Sequence, residues 1–202
     1  MEQIDEVLSF WLGALGDDGL PRENRSRLWF QSNATTDKLI RERFEDDLQK
    51  AAVGELVDWE QNAKGRLALI VLLDQFSRNI YRGTPKAFTQ DKQARTLCLG
   101  GIEQGHDLTL APIERAFFYL PLAHAESPEM QDKSVALLQA LVQSVPHATR
   151  RKLQTFLDHA IGHRDIIERF GRFPHRNNIL DRPSTPEELA FLNANTSTFG
   201  QG

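Results

Sequence analysis

Leu67–Phe76 reads LALIVLLDQF and decides the fold. It is apolar almost all round and longer than a usual strand. Lys64–Arg66 lead into it, which predicts a central buried helix. Periodicity alone also admits a buried strand. No other segment alternates with period two, so the strand is rejected and the chain is read as all-α.

Downstream, Gly83-Thr84-Pro85 makes a break with a helix-start signal, Pro after a capping Thr. The helix that follows carries Phe88, Ala94, Leu97 and Cys98 and should end near Gly100, Gly101 or Gly105. Pro112 starts another, with Ile113, Ala116, Phe117 and Leu120 inward, stopping close to Pro121. Ser127-Pro128-Glu129 opens the next, with Val135, Leu138, Leu141 and Val142 on one face. Pro146 divides it from the longest helix, Thr149 to Phe170, with Gly171 as its C′ residue. Thr185-Pro186-Glu187-Glu188 is a capping box. Leu189, Phe191 and Leu192 should dock a short last helix, and the tail from Asn193 should be loose.

Upstream, Ile4, Val7, Leu8 and Trp11 share one helical face that ends at Gly13 and Gly16. Trp29 and Phe30 read as anchors for the loop before them. Thr35 or Thr36 should cap a helix with Ile40, Phe44, Leu48 and Ala51 inward. No repeat of fixed period, linker or low-complexity tract interrupts the chain. The expectation is one all-α domain over residues 1–192 with helices in antiparallel hairpins.

The 202 residues are 40% hydrophobic and 26% charged, as in ordinary globular proteins. A net charge of −4 and a pI near 5.9 argue against nucleic acid as a partner. No apolar run approaches membrane-spanning length, so no membrane partner is expected. The single Cys98 excludes an internal disulfide framework and fits a reducing compartment. The first residues lack the basic flank and apolar core of a signal peptide, so a cytoplasmic location is expected.

Asp74 and Arg78 stand at i,i+4 on the central helix. A carboxylate in such an apolar run is costly unless paired. Read structurally, the two form a salt bridge. Read functionally, Asp74 is a general base or metal ligand, Arg78 an anion clamp and Asn79 a further donor. His159 and His163 also stand at i,i+4, but Ala160 follows His159, so the HExxH zinc signature is absent and no metal is assigned. His124 and Glu126 sit at the end of a helix, where both could point to one place. Cys98, between Leu97 and Leu99, reads as packing.

Gly171–Asn177 reads GRFPHRN. Gly171 permits a left-handed turn, Pro174 stiffens the path, and Phe170 and Phe173 can bury themselves on either side. Arg172, His175, Arg176 and Asn177 are then donors on a fixed loop. They serve either as a lock on helix-end carbonyls or as a cradle for phosphate or carboxylate.

FWLG (Phe10–Gly13), WF (Trp29-Phe30), LDQFSRN (Leu73–Asn79), YRGTP (Tyr81–Pro85), Phe88 with Asp91, FFYLPLAHAE (Phe117–Glu126), HRDIIERFGRFPHRN (His163–Asn177) and STPEELAFL (Ser184–Leu192) together resemble the bacterial family called domain of unknown function 924. The resemblance spans nearly the whole chain. It implies a tetratricopeptide-like stack of antiparallel helical hairpins and no particular activity. Two positions depart from the family pattern. Ala125 stands where it usually has Ser, so a serine nucleophile there is not essential chemistry. Asp181 stands where it usually has Gly, and its carboxylate is expected to pair with Arg182 or Arg176.

The leading expectation is a polar pocket between the central helix and His163–Arg182 that takes a small anionic metabolite, with hydrolase or transferase chemistry. Arg78, Arg172 and Arg176 would hold the anion, with Asn79 and Asn177 as further donors. Asp74 or Glu126 would act as base, and His124, His163 or His175 would move a proton. No cofactor is named by these residues. The alternatives are a non-catalytic module that binds a protein partner and a purely structural lock.

Overall fold

A computed structural model of the chain describes residues 2–194, and every regular element among them is helical. The α-helices in chain order are α1 (Glu2–Leu12), α2 (Ser26–Phe30), α3 (Ala34–Ala52), α4 (Ala63–Ile70), α5 (Ser77–Ile80), α6 (Asp91–Glu103), α7 (Pro112–Ala123), α8 (Pro128–Ser144), α9 (His147–Phe170) and α10 (Pro186–Ala194), with short 3-10 turns between some of them. A π turn, Val71–Phe76, joins α4 to α5, so the decisive stretch lies inside one helical run from Ala63 to Ile80.

That run is the axle of the molecule. Each residue from Leu67 to Phe76 is buried, and α1, α3, α6 and α7 pack around it. An element enclosed on every side gains from being apolar on every side, which is why its sequence shows no polar stripe. An aromatic chain ties the neighbours together. Phe76 lies 5.4 Å from Trp11 and 4.8 Å from Phe44, and Phe117 lies 4.9 Å from Trp29 and 5.2 Å from Phe156. Trp29 also donates its indole N–H to the Trp11 carbonyl at 3.0 Å, so the expected anchor is in place. Gly101 sets the spacing between α6 and α7, because a Cβ there would come within 2.4 Å of the Phe118 ring.

Beyond the axle, α7, α8 and α9 pack on one another in succession through short links. This all-α arrangement is compatible with tetratricopeptide-like stacking. A second, small core of Ile166, Ile167 and Phe173, with Phe170 and Phe191 against it, underlies the end of α9 and α10. So few apolar contacts leave polar groups much of the task of holding this end. No helix among the described residues is long and apolar enough to cross a membrane.

Several boundaries differ from expectation. Asn33, not Thr35 or Thr36, caps α3, accepting the N–H groups of both threonines. Its short carboxamide reaches both from one position. Pro121 lies within α7, which runs on to Ala123. The helix loses one N–H there, but burial on α8 and α9 keeps it going. Gly100 and Gly101 lie inside α6, and Gly105, at φ +71°, takes the left-handed turn after it. α10 docks through Glu188, which is buried, whereas Leu189 is half exposed. Asn193 and Ala194 complete α10, and the rest of the expected tail lies outside the described residues.

Candidate functional site

The site starts from the π turn. One extra residue in a turn rotates everything after it by about 100° round the helix axis. Asp74 lies in this turn with its side chain fully buried. Its carboxylate meets His124 Nδ1 at 2.8 and 3.0 Å, Arg78 Nη1 at 3.1 Å and Gln75 Nε2 at 2.5 Å. His124 caps the end of α7, so two helices that cross at the core deliver the pair. Arg78 also donates to the Asp74 carbonyl.

Arg78 reaches on to Asp91, the first residue of α6, at 3.0 Å. Arg176, from the GRFPHRN loop, comes to the same carboxylate at 3.4 Å. The Arg176 guanidinium lies between the rings of Phe88 and Phe173, 4.7 and 4.4 Å from their centroids. His163 stands 5.9 Å from His124 ring to ring and bonds the Ala123 carbonyl through Nδ1 at 3.1 Å. His175 lies 5.3 Å from the Phe173 ring. The structure thus brings Asp74, Arg78, His124, His163, His175 and Arg176 into one cluster and adds Asp91 to it. The cluster meets solvent along a narrow edge, where the side chains of His124 and Asp91 keep 14% and 17% of their surface.

The electrostatics follow from burial. Burial alone would push the Asp74 carboxyl up, but Arg78 and His124 outweigh it and hold it below the carboxylate range. Burial and then the nearby cations lower the imidazoles. His124 is lowered by burial and Arg78 against the pull of Asp74. His163 is held well below its usual value by burial, His124 and Arg176. His175 is pushed down to about 3 by burial and Arg176. Arg176 itself falls to about 10, through burial and the proximity of Arg78.

The hydrogen-bond partners assign the tautomers. An ionised carboxylate only accepts, so His124 Nδ1–H donates to Asp74 and the neutral ring keeps its lone pair on Nε2. The Ala123 carbonyl orients His163 in the same sense. A buried carboxylate holding an imidazole in one tautomer is the pairing that general acid–base chemistry uses.

Of the other expected site residues, Glu126 borders this cluster, near enough to His175 and Arg176 to act on both, and the rest pair elsewhere. Arg172 forms a two-pronged pair with Glu188, at 2.6 and 2.8 Å, and bonds the Pro183 carbonyl. Asn177 is buried and donates to Ser184 and Glu188. Glu126 accepts the Phe173 N–H at 2.8 Å and both prongs of Arg182, at 2.7 and 2.9 Å. Asn79 points to α3 and donates to Asp37, which also pairs with Arg82. Each of these groups has its partners within the protein. Among the described residues Asp181 pairs with neither Arg176 nor Arg182. It is the one non-glycine residue at positive φ, 53°, among them. This backbone conformation suits glycine better than a residue with a Cβ.

His159 and His163 diverge. His159 lies at an exposed edge with its ring 5.1 Å from Phe30, and among the described residues no group of three His, Cys, Asp or Glu is placed to hold a metal ion. Cys98 is fully buried, and burial pushes its thiol up, so it packs as expected. Two surface depressions border the segment. One is lined by Arg169, Phe170, Arg172 and the start of α10, the other by Pro128, Asp132, Arg164 and Glu168. Asp74, His124 and Arg176 line neither of these.

Sequence reasoning missed Asp91 and Glu188 as partners, and gave Arg182 to Asp181 where Glu126 takes it. Asp91 opens a helix, where an acidic residue has a local explanation in the helix dipole. Its link to Arg176 spans 85 residues, and no local pattern carries that.

The chain matches the family described as "Bacterial protein of unknown function (DUF924)" over residues 7–196. It is similar to a solved structure of a protein of unknown function from Agrobacterium tumefaciens, at 39% identity and a TM-score of 0.80. The match covers 96% of this chain and 98% of the other. No curated protein matches.

Proposed function

The chain belongs to this bacterial family of unknown function, and for it we propose a site for a small anionic metabolite at the Asp74–His124–Arg176 cluster. The observation that carries the reading is the Asp74 carboxylate on His124 Nδ1 at 2.8 Å, with the guanidinium groups of Arg78 and Arg176 beside it. Arg78 and Arg176 hold the anion. His124 Nε2 takes a proton from a water or alcohol nucleophile and returns it to the leaving group. Asp74 stabilises the imidazolium formed between those two events. This is hydrolase or transferase chemistry of an acyl or phosphoryl type. His163, which the Ala123 carbonyl orients, lines the site as a neutral ring beside His124.

In this reading Arg172, Asn177 and Glu126 serve the fold. Their closed pairing with Glu188, Ser184 and Arg182 supports a lock that fastens the GRFPHRN loop and places Arg176. A cytoplasmic setting fits the single, buried thiol.

The test is thermal unfolding of the wild type and Arg176→Gln with added inorganic phosphate or acetate at constant ionic strength. The site reading expects the wild type to gain stability from an oxyanion and the variant to gain none. A wild type indifferent to every oxyanion, with a destabilised variant, would leave only the lock.

A further inference from the structure

Two buried guanidinium groups share one carboxylate. Asp91 lies 3.0 Å from Arg78 and 3.4 Å from Arg176. Their other contacts are unequal. Arg78 is also held by the Asp74 carboxylate and carbonyl. Arg176 is only 7% exposed, its faces are covered by Phe88 and Phe173, and its buried Nε–H has no acceptor among the described residues. A guanidinium offers five N–H donors, and a buried one left short of acceptors is uncommon.

Asp91 is the member of the cluster best placed to leave. It sits at the first position of α6, on the edge that meets solvent, and the preceding Gln90 adds no side-chain cap. For it to leave, its enclosed Oδ1 has to come out by rotation about the side-chain bonds. Asp74, by contrast, is fully enclosed in the π turn.

We propose that Asp91 is an internal stand-in for the ligand: its carboxylate occupies the place between Arg78 and Arg176 that a phosphate group takes, and it turns out to solvent when phosphate enters. The inference rests on the anion-site reading above. Exchanging one anion for another keeps the two arginines from facing each other uncompensated, so the empty protein remains stable. It also sets selectivity. A planar carboxylate only repeats what Asp91 already offers. A tetrahedral phosphate brings further oxygens, one of which can accept the idle Arg176 Nε–H. Phosphate therefore displaces Asp91 and acetate does not.

The experiment is calorimetric titration of inorganic phosphate, and separately acetate, into the wild type, Asp91→Asn and Arg176→Gln near neutral pH at constant ionic strength. Asp91→Asn should bind phosphate about tenfold more tightly than the wild type, a difference of about 1.4 kcal/mol. It should gain acetate binding that the wild type lacks, and Arg176→Gln should bind neither. Equal or weaker phosphate binding by Asp91→Asn, with a wild type that binds, would overturn the stand-in and leave the anion site. No phosphate binding by the wild type or Asp91→Asn would overturn both. If Asp91→Asn unfolds on its own, refolding by phosphate but not by chloride supports the stand-in. Refolding by chloride equally would show general charge screening and overturn it.

Discussion

Asp74 and His124 meet at 2.8 Å across 50 residues of chain, one from the buried π turn and the other from the end of α7. The pair joins the most enclosed carboxylate of the axle to the edge of the cluster. Stability and proposed chemistry therefore depend on the same group. Asp74→Ala leaves Arg78 buried with one carboxylate fewer and should cost about 3–5 kcal/mol in chemical denaturation. Unchanged stability would show that Asp74 is not the counter-ion the geometry describes.

Acid should weaken the protein before its carboxylates titrate. The folded values of His124, His163 and His175 are all depressed, that of His175 to about 3, while the unfolded chain titrates near the ordinary value. Below about pH 6.5 the unfolded state then binds more protons than the folded one, so stability falls as pH falls. Each imidazole that stays neutral contributes a loss of about 1.4 kcal/mol per pH unit. Urea denaturation between pH 7 and 5 should show this slope, and His175→Asn should reduce it. A flat profile would contradict the buried neutral histidines.

Glu126 is assigned to the lock. Its carboxylate takes the Phe173 N–H and both prongs of Arg182, in a pair about a quarter exposed. Solvent screens the ionic part, so Glu126→Gln should cost about 1–2 kcal/mol, chiefly through an imperfectly satisfied backbone N–H. The response to phosphate should not change. A stable variant that no longer responds to phosphate would return Glu126 to the site.

Asp181 holds a left-handed backbone at φ 53°. Asp181→Gly should stabilise the protein by about 0.5–1 kcal/mol, read as a shift in the denaturation midpoint. Destabilisation would mean that the carboxylate contributes to the fold after all.

The helical architecture was legible because its signals are local. The apolar run at Leu67–Phe76, the capping box at Thr185–Glu188 and the left-handed Gly171 each state their role within a few residues, and each is found in that role. The cluster was legible in residue type but not in membership. Arg172 and Arg176 sit four apart on one loop, yet one turns to Glu188 and the other to Asp91. Spacing cannot separate them, because the choice depends on which carboxylates the fold brings near. The π turn was hidden for a related reason. It lies in a run buried on all sides, so a change of helical register leaves no mark on the polar pattern. Asn79 was drawn to Arg78 by proximity in sequence, and Asp37, 42 residues away, claims it in space.

Nitrogen-15 NMR of His124, assigned through His124→Gln, reads whether Asp74 orients the imidazole toward an anion site. At neutral pH the ring should be neutral with its proton on Nδ1 and a bare Nε2, and Nε2 should shift when phosphate is added. In Arg176→Gln the tautomer should persist and the phosphate response should vanish. A proton on Nε2, or an Nε2 resonance indifferent to phosphate in the wild type, would contradict that orientation.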